Sequence, residues 1–214
     1  MTQFSVSLDK IAQQLKREVV YTPKELKDIP IYTADVNRPG LLLTGYDEYF
    51  DPTRIQIYGN AEMGYLSTLP EAERRSRMHT LFATKPPALV VTRSLAVFSE
   101  IMEFASQYGV PVLRTAESTS GFMSALISML NIELAQRITR HGVLVEVYGE
   151  GILIWGESGE GTSETAVELV KRGHRLLADR AVDLRGVSNR SILGPAPAHI
   201  RHHIAPHGRG TTNR

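Results

Sequence analysis

The stretch from residue 150 to residue 180 constrains the fold of this chain most, because it sets a glycine-rich loop between an apolar run and an amphipathic segment. Residues 152–155 are apolar, which predicts a strand. The loop runs from Gly156 to Gly161, and Ser163 opens a predicted helix. A strand, a glycine-rich loop and a helix in this order are typical of α/β domains that bind a ligand where the helix begins.

The loop follows the phosphate-binding pattern G-x-x-x-x-G-K-[ST], except that Thr162 occupies the lysine position. Its glycines allow close backbone approach, so N–H groups can converge on an anion at the positive end of the helix. Ser163 offers a hydroxyl to Mg²⁺, but Thr162 supplies no cation for ATP or pyrophosphate. The pattern predicts weak phosphate binding, and a turn without a ligand is the alternative. The candidate binding residues are Gly156, Glu157, Ser158, Gly159, Glu160, Gly161, Thr162 and Ser163.

The segment after the loop adds an acidic candidate. Apolar residues recur at helical spacing over 166–170, and Gly173 is typical of a helix end. Residues 175–182 then predict a strand, with Asp179 near its end. In a strand–loop–helix–strand unit that end lies near the phosphates, so Asp179 is a candidate base or metal partner. A solvated aspartate at a strand edge is the alternative.

The first 130 residues predict a separate α/β domain. Predicted strands alternate with predicted helices, which indicates a parallel sheet. No catalytic constellation is visible there, and the boundary to the second domain is expected between about residues 129 and 137, before a strand at 143–148. The predicted helices are 6–15, 70–82, 98–108 and 118–134, and the predicted strands are 41–43, 54–58, 88–92 and 110–114.

Composition narrows the class of protein. The net charge is +1 and there is no cysteine, so disulfides and thiolate metal sites are excluded. No apolar run is long enough to span a membrane and no signal peptide is visible, which predicts a cytoplasmic protein without membrane or nucleic-acid partners. Residues 184–214 contain five arginines, four histidines and no acidic residue, and we expect this basic tail to lack order.

Taken together, these segments resemble the HPr kinase/phosphorylase family. The resemblance implies an enzyme that phosphorylates a serine of HPr, the phosphocarrier of sugar uptake, with ATP or pyrophosphate, and that removes the phosphate by phosphorolysis. It implies an N-terminal domain over 1–131 and an incomplete P-loop kinase domain over 132–214. The segments that carry it are 35–41, 49–57, 85–93, 118–128, 137–149, 156–166 and 168–179.

The resemblance also assigns roles. His141 matches the family's active-site histidine, and Ser163 matches the hydroxyl that ligates Mg²⁺. Thr162, Arg180 and Ala205 stand where the family has a lysine, a catalytic aspartate and a metal-binding glutamate.

Two functions therefore remain open: a serine kinase/phosphorylase, or a catalytically inactive or truncated relative that keeps the fold and weak phosphate binding. The family implies hexamers formed through the kinase domain. Because the family's kinase domain continues for about another hundred residues, a smaller or unstable homo-oligomer is expected.

Overall fold

The structure is a computed structural model that describes residues 4–156, 160–179, 181–188, 191–194 and 203–204. The chain separates into two compact units, Met1–Leu134 and Ala135–Arg214. Among the described residues, no helix is both long and apolar enough to cross a membrane.

The first unit is built on a five-stranded sheet in the order β2-β7-β6-β5-β4. Its parallel strands confirm the predicted α/β fold, and only β2 runs antiparallel to its neighbour. A separate antiparallel ribbon pairs β1 with β3. The strands are β1 (Val6–Ser7), β2 (Glu18–Tyr21), β3 (Pro30–Ile31), β4 (Val36–Asn37), β5 (Ile55–Tyr58), β6 (Leu89–Val91) and β7 (Val112–Arg114).

Helices cover both faces of this sheet. Alternate strand residues face opposite sides, so Tyr58 and Val91 join one buried cluster with α3, α4 and α5, whereas Ile57 and Val90 join another with α1 and α6. The helices are α1 (Leu8–Gln14), α2 (Gly40–Thr44), α3 (Asn60–Thr68), α4 (Glu71–Ala83), α5 (Ser99–Tyr108) and α6 (Thr119–Glu133). The result is a layer of helices on each side of a buried sheet.

Two predicted elements of this unit are wrong in detail. Residues 41–43 form part of α2 rather than a strand, because leucine favours helix and Gly45, at φ +102°, ends the helix in the left-handed conformation. The helix predicted over 6–15 begins only at Leu8. The Ser7 side chain accepts a hydrogen bond from the Lys10 N–H at 3.3 Å and caps that helix, while Val6 pairs with Ile31 in the β-ribbon.

The second unit contains two antiparallel sheets and one helix. A three-stranded sheet has the order β10-β9-β11, and a four-stranded sheet has the order β14-β13-β12-β8. Ala166 and Leu169 of α7 pack on Val143 and Val145 of β9. The elements are β8 (Gln136–His141), β9 (Val143–Val147), β10 (Glu150–Ile154), α7 (Thr162–Lys171), β11 (Arg175–Ala178), β12 (Ala181–Ser188), β13 (Ser191–Leu193) and β14 (His203–Ile204).

The strand predicted over 175–182 is two strands in different sheets. β11 pairs with β9, whereas β12 pairs with β8 over six residue pairs. The expectation that the chain lacks order from residue 184 onward is also wrong for the described part, since Arg185, Gly186 and Ser188 of β12 pair with β13. β12 is ordered because its backbone forms hydrogen bonds with β8, and composition alone does not reveal this pairing.

Candidate functional site

The topology of the three-stranded sheet brings the predicted site residues to one edge. β10 and β11 lie on either side of β9 and are both antiparallel to it, so they run in the same direction. Ile154 at the end of β10 pairs with Val143, and Ala178 at the end of β11 pairs with Leu144. The loop that follows β10 and Asp179, which follows β11, therefore leave the sheet at the same edge.

His141 reaches this edge from the other sheet. It is the last residue of β8, and Gly142 alone separates it from β9. A Cβ added to Gly142 would lie 2.6 Å from the carbonyl oxygen of Ile154 and 3.4 Å from Cβ of Trp155. The glycine thus lets the chain pass from β8 into β9 directly against the end of β10, which places His141 beside the strand that leads into the loop.

The described residues of the loop form a tight turn. A Cβ added to Gly156 would collide with Oε2 of Glu160 and would lie 3.3 Å from Oγ1 of Thr162, so the two ends of the loop meet. Gly161 has φ +83°, a left-handed conformation that favours glycine, and it caps α7. Glu157, Ser158 and Gly159 lie outside the described residues.

The start of α7 supplies the electrostatic part of the site. The N–H groups of Thr162, Ser163 and Glu164 belong to the first helical turn and have no acceptor within the helix. The helix dipole makes this end positive, which favours an anion. Gly161 accepts both the N–H and the hydroxyl of Thr165 at 2.9 Å, which fixes the first turn. Ser163 is exposed beside it.

Asp179 lies just past an irregular strand. The ladder between β11 and β9 has a register shift between Leu176 and Ala178, which is a β-bulge at Leu177. A bulge inserts one residue and reverses the side-chain alternation after it. Asp179 is exposed at the edge where the loop begins.

Three positions differ from the family pattern, and the structure describes one of them, Thr162. Arg180 and Ala205 lie outside the described residues, whereas Thr162 is half-buried in the first turn of α7. Within the described ranges, no group of three or more His, Asp or Glu side chains is arranged to hold a metal. Ser163 is therefore the one predicted metal ligand whose position can be described.

A contact between Arg140 and Trp155 was not predicted from the sequence. The central carbon of the Arg140 guanidinium lies 5.9 Å from the centroid of the Trp155 ring. The Trp155 side chain is 65% exposed and directly precedes Gly156. The sequence hinted at this contact only through neighbouring residues, since Arg140 precedes the candidate His141 and Trp155 precedes the glycine loop.

The first unit places its polar residues in structural roles. Glu62 is 3% exposed, accepts the N–H of Gly59 at 2.9 Å and forms hydrogen bonds of 3.1 and 3.0 Å with Arg38. These contacts fix the start of α3. Arg38 therefore serves a turn and a helix cap, as its position after β4 and before Pro39 suggests.

Two family models match nearly the whole chain: HPr Serine kinase N terminus over residues 6–130, and HPr Serine kinase C-terminal domain over residues 132–213. The HPr kinase/phosphorylase of Caldicellulosiruptor bescii is 47% identical over 207 residues, which cover 97% of this chain and 67% of that protein. The HPr kinase/phosphorylase of Lachnoclostridium phytofermentans is 44% identical with the same coverage. The resemblance seen in the sequence is confirmed, and the chain spans about two thirds of the length of these relatives.

Proposed function

The chain belongs to the HPr serine kinase family, and on that premise we propose that Ala135–Arg214 holds the site that transfers phosphate to and from a serine of HPr. By family the protein is a protein-serine kinase/phosphorylase, a transferase that regulates sugar uptake through the phosphotransferase system. High identity over almost the whole chain favours this function over a relative that keeps only the fold.

One observation carries the proposal: the passage from β10 through the glycine loop and α7 to β11. This segment brings Gly156, the start of α7 and Asp179 to one edge of the sheet. His141 lies beside the end of β10 at the same edge. In phosphoryl transfer the protein mainly positions the phosphates and neutralises their charge. An edge that combines helix N–H donors with an acid and a histidine suits that task.

We assign the roles as follows. The N–H groups of residues 156–163 hold the phosphates of ATP or pyrophosphate, and the Ser163 hydroxyl is a ligand of Mg²⁺. Bound Mg²⁺ neutralises phosphate charge. His141 and Asp179 face the transferred phosphate, and Asp179 accepts the proton of the HPr serine.

The substituted positions lower the expected rate. Thr162 brings no positive charge to the phosphates, and Ala205 cannot bind a metal. Arg180 remains protonated and cannot act as a base. Loss of a well-placed base lowers the rate by roughly 10²–10⁴. We therefore propose slow transfer to HPr that depends on Asp179.

The test is phosphate transfer from ATP and Mg²⁺ to purified HPr, with HPr that carries alanine at the target serine as the control. We expect slow transfer by the unchanged protein and faster transfer by the triple variant Thr162→Lys, Arg180→Asp, Ala205→Glu. Transfer that persists unchanged in Asp179→Asn would overturn the role of Asp179. No transfer by either protein would overturn the proposed activity of this chain.

The remaining assignments rest on the family alone. We propose HPr as the protein partner, the cytoplasm as the compartment, and domains that extend over 1–131 and 132–214. Self-association into a homo-oligomer stays a prediction, which light scattering can test.

A further inference from the structure

The glycine loop, residues 156–163, contains no lysine or arginine. The lysine position holds Thr162, and the loop itself brings Glu157 and Glu160. The carboxylate of Glu160 lies against Gly156, where a Cβ would collide with it. A phosphate that enters this edge therefore meets helix N–H groups but also a nearby carboxylate, so a cation on another element of the unit would strengthen binding.

Arg140 is the described basic side chain best placed to supply that cation. It is exposed on β8, and its guanidinium lies 5.9 Å from the centroid of the Trp155 ring, next to the residue that opens the loop. Within the part of the chain that the structure describes, no carboxylate lies within ion-pair distance of Arg140, so its charge is not neutralised there.

The aromatic contact also suits phosphate recognition. A guanidinium above a ring is attracted by the electrons of the ring face, and its N–H groups remain available to an anion. Trp155 can therefore hold Arg140 at the mouth of the loop without using its hydrogen-bond donors. Gly142 lies against Trp155, so the backbone brings the strand that carries Arg140 next to Trp155.

Three other described basic residues of the second unit lie farther from the loop, whereas Arg180 lies outside the described residues. Lys171 ends α7, about 15 Å along the helix from the loop. Arg175 begins β11, at the end opposite to Asp179. Arg137 precedes Arg140 by three residues on β8, which is about 10 Å along an extended strand.

We propose that Arg140, held by Trp155, supplies to the bound phosphates the positive charge that Thr162 does not. This inference rests on the proposed phosphate site and adds a binding residue to it. The ligand class is a diphosphate group, either free pyrophosphate or the terminal phosphates of ATP.

Binding can be followed without catalysis, because Trp155 is the only tryptophan and lies beside the loop. Pyrophosphate with Mg²⁺ is titrated into the full chain while tryptophan fluorescence and calorimetric heat are measured. We expect Arg140→Gln to weaken binding at least about tenfold, since a charge-assisted contact to phosphate is lost. Arg140→Lys, which keeps the charge, should retain part of the affinity. The control Arg175→Gln removes the same charge at the far end of β11 and should bind like the wild type.

The Thr162→Lys background provides the decisive comparison. If Arg140 replaces the missing lysine, Arg140→Gln should weaken binding much less once Lys is present at position 162. An equal fold-change in both backgrounds would overturn the replacement. Equal affinity of Arg140→Gln and Arg175→Gln would overturn the role of Arg140 alone and leave the phosphate site intact. No binding by the wild type would overturn both.

Discussion

Position 162 decides how strongly the loop can hold a phosphate. Thr162 lies in the first turn of α7, where its backbone N–H still points toward an anion but its side chain carries no charge. Because a charge-assisted contact contributes about 1.5–3 kcal/mol, Thr162→Lys should tighten ATP or pyrophosphate binding roughly tenfold or more. Isothermal calorimetry measures this, and Val170→Lys, at an exposed position about 12 Å further along the helix, serves as the charge-matched control. Identical affinities of Thr162→Lys and the wild type would contradict the assignment.

Glu100 gives a second prediction at the residue scale, in the first unit. Burial by itself would raise the pKa of Glu100, but its backbone hydrogen bond, Arg74 and Ser99 outweigh burial, and the pKa is lowered. Arg74 donates to Glu100 at 2.8 Å, and the two side chains are only 19% and 6% exposed. A lowered carboxyl pKa stabilises the fold above the unfolded pKa of about 4.3 and loses that contribution as pH falls.

Glu100→Gln should therefore reduce the free energy of unfolding by about 1–3 kcal/mol near neutral pH. The difference from the wild type should shrink below about pH 4. Glu103→Gln is the matched control, because Glu103 pairs with Arg75 on the exposed side of the same helix, where such pairs contribute little. Urea denaturation at several pH values measures both variants. A pH-independent effect of Glu100→Gln would refute the role of its charge.

At the scale of elements, two glycines predict opposite effects of the same substitution. Gly64 lies inside α3, and a Cβ there would meet nothing within 4 Å. Gly64→Ala should stabilise the protein by about 0.5–1 kcal/mol, because alanine favours helix. Gly142→Ala should destabilise the second unit, because the new Cβ would lie 2.6 Å from the Ile154 carbonyl oxygen. Thermal unfolding compares the two variants, and stabilisation by Gly142→Ala would show that β8 and β10 do not approach as described.

Apolar periodicity predicted the long helices and the strands β5, β6 and β7 of the first unit, but it missed β8 and the break between β11 and β12. The helices Glu71–Ala83, Ser99–Tyr108 and Thr119–Glu133 follow from apolar spacing and clear end signals. β8 was missed because all six of its residues are exposed, so it shows no apolar alternation. The break between β11 and β12 was missed because partner choice in a sheet depends on tertiary pairing.

The candidate site was predictable only as far as its local pattern. The sequence itself shows the glycine loop and the missing lysine. The strand–loop–helix–strand pattern also predicted that Asp179 lies near the loop, but it did not predict that β9 separates β10 from β11. The contact of Arg140 with Trp155 likewise depends on tertiary structure, because β8 and β10 belong to different sheets.

At the scale of the whole molecule, the described residues of the two units differ in how much apolar surface they bury. The first unit has a cluster of buried side chains on each face of its sheet. In the second unit, the described cluster consists of Val143, Val145 and Ala166 with partly buried neighbours. Since burial of apolar surface is the main favourable term in folding, the first unit should be the more stable of the two.

This difference predicts that residues 1–134 fold without the rest of the chain. We expect the isolated segment to unfold cooperatively in urea, since a domain of this size with a sheet covered on both faces buries enough surface for a two-state transition. In the full chain we expect the second unit to unfold at the lower urea concentration. Gly142→Ala should lower only the midpoint of that transition. Phe122→Ala, in the core of the first unit, should lower only the midpoint of the transition at higher urea concentration. Tryptophan fluorescence follows the second unit through Trp155, and circular dichroism follows both units. A segment 1–134 that stays unfolded would show that its two clusters depend on residues beyond Leu134.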